Sequence, residues 1–188
     1  MLWPKLIGFA VLSLLLAQLQ FIPSDAAVSG CSDNFTQVAG KCLFAANYWY
    51  NWYQAERHCR SLGAGLFNLQ NQTQLQQISD WLNATLPYTI EFWTSGNKLG
   101  QYGANYYWQN TGEQAHYLPW ANGQPLAASG DCVTLFANYT YYEGILGYNL
   151  VVRNCTHPSP HVCEKQTQIT DNRICLKTGS YENVQVLL

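Results

Sequence analysis

The chain has 188 residues, of which 48% are hydrophobic, 14% aromatic and 11% charged, with nine basic against eleven acidic side chains. Ordinary domains carry about 25% charged residues. A chain this short of clustered Lys and Arg is not expected to bind a nucleic-acid backbone, whose affinity rests on such clusters.

The chain opens on Lys5 and an apolar run of 12 residues, Leu6 to Ala17, followed by small residues at Ser24, Ala26 and Ala27. That is the pattern of a secretory signal peptide over 1–27. The run is too short for a membrane span, which needs about 20 apolar residues, so a secreted, extracellular product with no membrane insertion is expected. The next stretch, Gly30 to Cys42, is short and turn-rich and suggests a hairpin. Asn51 to Leu62 reads as a helix with Trp52, Ala55, Cys59 and Leu62 on one face, and Gly63 stands where a helix C-terminal glycine belongs. Asn71 to Leu82 repeats the pattern, with Leu75, Ile78 and Leu82 inward and either Asn71 or Thr73 as cap. From Glu91 the character changes to short aromatic and β-branched runs. Strands are expected at Glu91–Ser95, Tyr106–Gln109, Cys132–Phe136, Leu150–Asn154 and His161–Glu164. Helices followed by strands give an α+β order, and 166–188 reads as a polar C-terminal tail.

Five Asn-x-Thr sequons, at Asn34, Asn71, Asn83, Asn138 and Asn154, are candidate glycan sites that would keep a charge-poor surface soluble. The seven cysteines stand at 31, 42, 59, 132, 155, 163 and 175. In an oxidising compartment disulfides are the default, one cysteine is left over, and spacing alone leaves every pairing open.

Several of these segments together spell out a family. Asn51-Trp-Tyr-Gln-Ala-Glu-Arg-His-Cys59 with Leu62 and Gly63 resembles the first helix of C-type lectin-like domains. Phe92-Trp-Thr-Ser-Gly96 is similar to the signature strand of its secreted insect members. Trp108 with Thr111-Gly112, Pro119-Trp120 and Gly123-Gln-Pro125 resemble the family's loop region, and His161-Val-Cys-Glu164 its closing strand. The resemblance covers Cys31 to Lys165 and implies a domain over 28–165, with two helices packed on short antiparallel strands and a disulfide-stapled loop region. It also implies the bridges Cys31–Cys42, Cys59–Cys163 and Cys132–Cys155. Cys175 is then the odd cysteine, either an unpaired thiol or an intermolecular bridge that makes a disulfide-linked dimer.

Sugar-binding members hold calcium with about five oxygen-bearing side chains. The resemblance places those ligands in three short segments, each altered here. The first reads Gln124-Pro125-Leu126, where glutamine keeps the galactose-type order but leucine replaces a carboxylate. Gly130 occupies the acidic position two before Cys132, with Asp131 beside it. The third reads Tyr148-Asn149-Leu150, again without its carboxylate. Gln124, Pro125, Asn149 and Asp131 are therefore the candidate ligand-binding residues, no metal ligand set is complete, and tight calcium is not expected.

Cys155-Thr-His157-Pro-Ser-Pro-His161-Val-Cys163 has zinc-ligand residue types, but the implied bridges remove both thiolates. Neither a Gly-x-Ser-x-Gly nor a His-Glu-x-x-His motif occurs, so no catalytic residues are assigned. The aromatic block Tyr48-Trp-Tyr-Asn-Trp-Tyr53 puts Trp52 in the core, while Tyr48, Trp49 and Tyr50 precede the helix and cannot all be buried. There, and at Tyr139, Tyr141 and Tyr142, aromatics serve sugar stacking or a protein interface equally well. The expected function is a secreted recognition module for an extracellular protein or glycan, needing no calcium or other cofactor. The alternatives are a calcium-dependent galactose-type lectin resting on Gln124, Pro125 and Asn149, and, remotely, a hydrolase using His116 or His157.

Overall fold

The computed structural model describes residues 30–32, 34–100 and 103–165, and the backbone of 170–177 and 180–187. The expected signal peptide over 1–27 and the Cys175 side chain lie outside the described residues.

The first two strands, β1 (Thr36–Val38) and β2 (Lys41–Tyr50), form the N-terminal hairpin. Ala39 and Gly40 both hold positive φ, 54° and 76°, as a two-residue turn matched to the strand twist requires. Helix α1 (Trp52–Ser61) begins with a reciprocal cap. The Gln54 N–H donates to Asn51 Oδ1 at 2.9 Å and the Asn51 N–H to Gln54 Oε1 at 3.1 Å, satisfying two orphan donors at once. Gly63 follows with φ +66°, beyond the last turn. Trp52, Ala55 and Cys59 face inward as expected, but Leu62 does not. It lies past the helix end, where the backbone has left helical geometry, and is 38% exposed.

After β3 (Gly65–Leu66), α2 (Gln72–Thr85) is capped by Asn71, whose side chain accepts from the Gln74 N–H; Thr73 plays no such part. Its Leu75, Ile78 and Leu82 pack with Phe67, Leu69, Phe92, Leu135, Leu150 and Val162 in the larger core. The smaller core joins α1 to both interior bridges, through Trp52, Cys59, Trp93, Cys132, Cys155 and Cys163. The buried indoles are satisfied, Trp52 donating to Thr94 O and Trp93 to Tyr50 O, each at 2.9 Å.

Strands β4 (Glu91–Asn97), β5 (Tyr107–Trp108), β6 (Cys132–Thr140), β7 (Gly144–Arg153) and β8 (Ser159–Lys165) complete one sheet in the order β1-β2-β8-β4-β6-β7. β3 pairs with β8, and β5 with β4. All three expected bridges are present, Cys31–Cys42, Cys59–Cys163 and Cys132–Cys155. Within the expected C-terminal tail, β9 (Thr170–Lys177) pairs antiparallel with β10 (Ser180–Leu187).

Candidate functional site

The loop expected to carry the site begins where Pro119 and Trp120 dock on β7. Leu150 donates to Pro119 O at 2.8 Å and Ala121 donates to Leu150 O at 2.9 Å. The Gln124–Pro125 peptide is cis, a short 3-10 turn (Ala127–Ser129) follows, and Cys132 enters β6.

The structure gives the polar side chains of three of the four candidate residues work within the fold, and Pro125 contributes the cis peptide. Gln124 Oε1 accepts from the Leu126 N–H at 3.1 Å and the Val152 N–H at 3.0 Å, pinning the loop to β7. Asn149 Oδ1 accepts from Asn138 Nδ2 at 2.6 Å, and Asn149 Nδ2 donates to Pro119 O at 3.2 Å. The Asp131 carboxylate lies 3.4 Å from Lys98 Nζ, and burial, with a smaller effect of that carboxylate, holds the Tyr106 hydroxyl above its usual range. Gly130, in the position where a carboxylate would be needed, has φ +130° and no room for a Cβ. A Cβ there would fall 2.6 Å from Asn154 Cα and collide with the Arg153 carbonyl. The backbone itself rejects a side chain at that place.

Beside this loop runs a groove of about 460 Å³, bounded by Gln124, Asn138, Tyr139, Leu146, Val151 and Arg153. Glu91 Oε1 accepts from Arg153 Nε and Thr134 Oγ1, both at 2.7 Å, and Glu91 Oε2 lies 3.5 Å from His157 Nε2. The Arg153 guanidinium also rests on the Phe136 ring, 5.2 Å from its centre. An arginine so held presents a fixed rather than a wandering charge. A second hollow of about 300 Å³, more apolar, is formed by Pro87, Tyr88, Ile90, Phe136, Tyr139 and Ile145. Tyr139 lines both. It is 60% exposed, and Tyr141 and Tyr142 in the β6–β7 turn are 84% and 93% exposed. Of the three tyrosines read from sequence as serving sugar stacking or a protein interface, Tyr139 thus edges a concave site, while Tyr141 and Tyr142 stand exposed in the adjoining turn.

The remaining candidates are dispersed. His116 borders a separate hollow of about 200 Å³ with Glu113. Cys155 and Cys163 are bridged to different partners, so the zinc-like string cannot act as one cluster. Sequence reasoning missed a pairing 103 residues apart, His58 Nδ1 to His161 Nε2 at 2.8 Å. The only sequence hint was that each histidine stands next to or two residues from a bridging cysteine. His161 is completely buried, and its pKa falls to about 4, chiefly from burial and then from the neighbouring His58, against a smaller opposing effect of the Tyr48 backbone.

Comparison with known proteins supplies the family. The model of the lectin C-type domain matches residues 48–165, from the end of β2 through β8. This chain belongs to the C-type lectin domain family. C-type lectin 37Db of Drosophila melanogaster is 36% identical over 95 residues, covering 50% of this chain and 60% of that protein. C-type lectin 37Da of the same fly is 33% identical over 126 residues, covering 64% and 65% respectively. The chain thus spans somewhat under two thirds of these relatives. Human lithostathine has the same fold, with a TM-score of 0.64 at 16% identity, covering 76% of this chain and 95% of that one. The insect-type C-type lectin domain is a non-enzymatic recognition domain, and the family gives His116 and His157 no catalytic role. No helix among the described residues is long and apolar enough to cross a membrane.

Proposed function

We propose that this C-type lectin domain is a secreted module that recognises a glycan or protein partner without calcium, through the groove beside β6 and β7. The observation that carries this reading is the engagement of the two amide oxygens. Those of Gln124 and Asn149 already accept hydrogen bonds from Leu126, Val152 and Asn138. To hold a cation they would have to abandon these partners for a site with little negative charge, and site charge is a main determinant of calcium affinity. The groove offers a fixed guanidinium, amides and an exposed tyrosine edge instead, and aromatic faces bind sugar rings and partner side chains alike. Secretion rests on the signal-like segment at 1–27. All five sequon asparagines are exposed, which suits glycosylation, and a dimer bridged through Cys175 would add avidity.

Melting the secreted protein in 10 mM calcium chloride and in excess chelator tests the calcium-free part. Coincident midpoints are expected. A ligand at 100 times its dissociation constant stabilises by about 2.7 kcal/mol, so a rise of roughly 5 °C or more in a domain this size overturns it. Galactose-type recognition through Gln124 and Pro125 would then lead. Binding is located by screening glycans and extracellular proteins in chelator, where Tyr139→Ala should weaken any retained partner by about tenfold, the loss of a hot-spot contact.

A further inference from the structure

We propose that His58 Nδ1 and His161 Nε2 form a binding site for one transition-metal ion of the zinc or copper class, at the seam between α1 and β8. The two nitrogens face each other at 2.8 Å with ring planes at 89°. Their spacing is imposed by the fold. His58 sits in the last turn of α1 next to Cys59, His161 lies in β8 two residues before Cys163, and the bridge between those cysteines fixes the two backbones together. The backbones are thus held, and an ion must still turn both rings, whose nitrogens point at each other in the hydrogen bond.

The surroundings fix the class of ion. Tyr48, Tyr50 and Phe44 stand around the His58 ring with centroids 5.5, 5.9 and 6.4 Å away, and Tyr50 stacks on His161. The third ligand-type residue near the two nitrogens is Cys163, whose sulfur is bridged and therefore not a thiolate. A pair of neutral imidazoles suits zinc, copper or nickel, whereas calcium and magnesium require oxygen donors.

The distances agree. Metal–nitrogen bonds of about 2.0–2.1 Å to two nitrogens 2.8 Å apart enclose roughly a right angle, as in tetragonal copper. A tetrahedral ion needs about 3.3 Å between nitrogens, reached by a half-ångström swing of the half-buried His58. In the hydrogen-bonded pair one facing nitrogen carries a proton. On metal binding that proton passes to the other nitrogen of its own ring, so the charge of each imidazole is unchanged. Neutral imidazole, the form that ligates, is the ordinary state of a histidine above pH 7. The remaining positions would fall to solvent reaching the half-buried His58.

The test uses the full secreted chain without a histidine tag, cleared with chelator and dialysed against zinc chloride at pH 7.5. One zinc per chain is expected, with at least a tenfold loss of affinity in His58→Gln and none in His116→Gln. No saturable zinc, or undiminished binding in His58→Gln, reduces the pair to a hydrogen bond and overturns the site. Should His58→Gln not fold, one equivalent of copper(II) on the unaltered chain decides. An electron-spin spectrum with coupling to two imidazole nitrogens supports the site, and fewer than two overturns it.

Discussion

With no exposed surface, His161 is held near a pKa of about 4 against an ordinary 6.5. The folded state therefore binds fewer protons than the unfolded state between those values, and stability must rise with pH across that window. At and above pH 7 the effect is fully in hand; it is lost as pH falls from about 6.5 toward 4, by an amount on the order of 3 kcal/mol. Denaturant midpoints measured in chelator should be level above pH 7 and decline through that window, and His161→Gln should flatten the decline. An unchanged slope in that variant would assign the acid sensitivity to other groups. None of this was legible from the sequence, in which His161 was one residue of a proline-flanked string. Gln124 and Asn149 were legible as residues but not in what they do, because hydrogen bonds to Val152 and Asn138 depend on how a loop lies against β7.

At the scale of elements, the helices were the readable part. Their apolar spacing and asparagine caps are local properties, and α1 and α2 start where the caps put them. β2 was missed because Lys41–Tyr50 carries two successive alanines and no clean alternation; its strand character comes from pairing with β8. β7 was found only at its end, since Gly144 and Gly147 interrupt the strand signal while the ladder to β6 runs on past them. The β1–β2 turn holds an avoidable cost. Ala39 occupies the left-handed region at φ 54°, where a Cβ costs roughly 1 kcal/mol or more and asparagine is tolerated better. Ala39→Asn should raise stability by about 0.5–1 kcal/mol, read as a higher melting midpoint with unchanged disulfide content. A lower midpoint would contradict this account of the turn.

Over the whole molecule, the bridges compensate for a modest set of charged contacts. The Cys59–Cys163 bridge joins residues 104 apart and ties α1 to β8. On the chain-entropy model a loop of that length contributes roughly 4–5 kcal/mol. Replacing both cysteines with alanine should cost, in a denaturant melt, about 2 kcal/mol more than removing Cys31–Cys42, whose loop spans only 11 residues. Equal losses would show that the long bridge acts by native contacts and not by restraining the unfolded chain. The pairing pattern was recovered from family resemblance and not from spacing, which is why the bridges could be named while the histidine pair beside one of them could not.

The sheet order has a consequence for how such a module is carried. β2 and β8 are neighbours, with Cys42 opposite Lys165, so the domain is entered and left at one place. The groove lies along β6 and β7, two and three strand spacings from the exit strand β8, or about 10 to 14 Å at 4.8 Å each. A tether at Lys165 would thus stand only two or three strands from the groove, near enough for the carrier to share in what the groove meets.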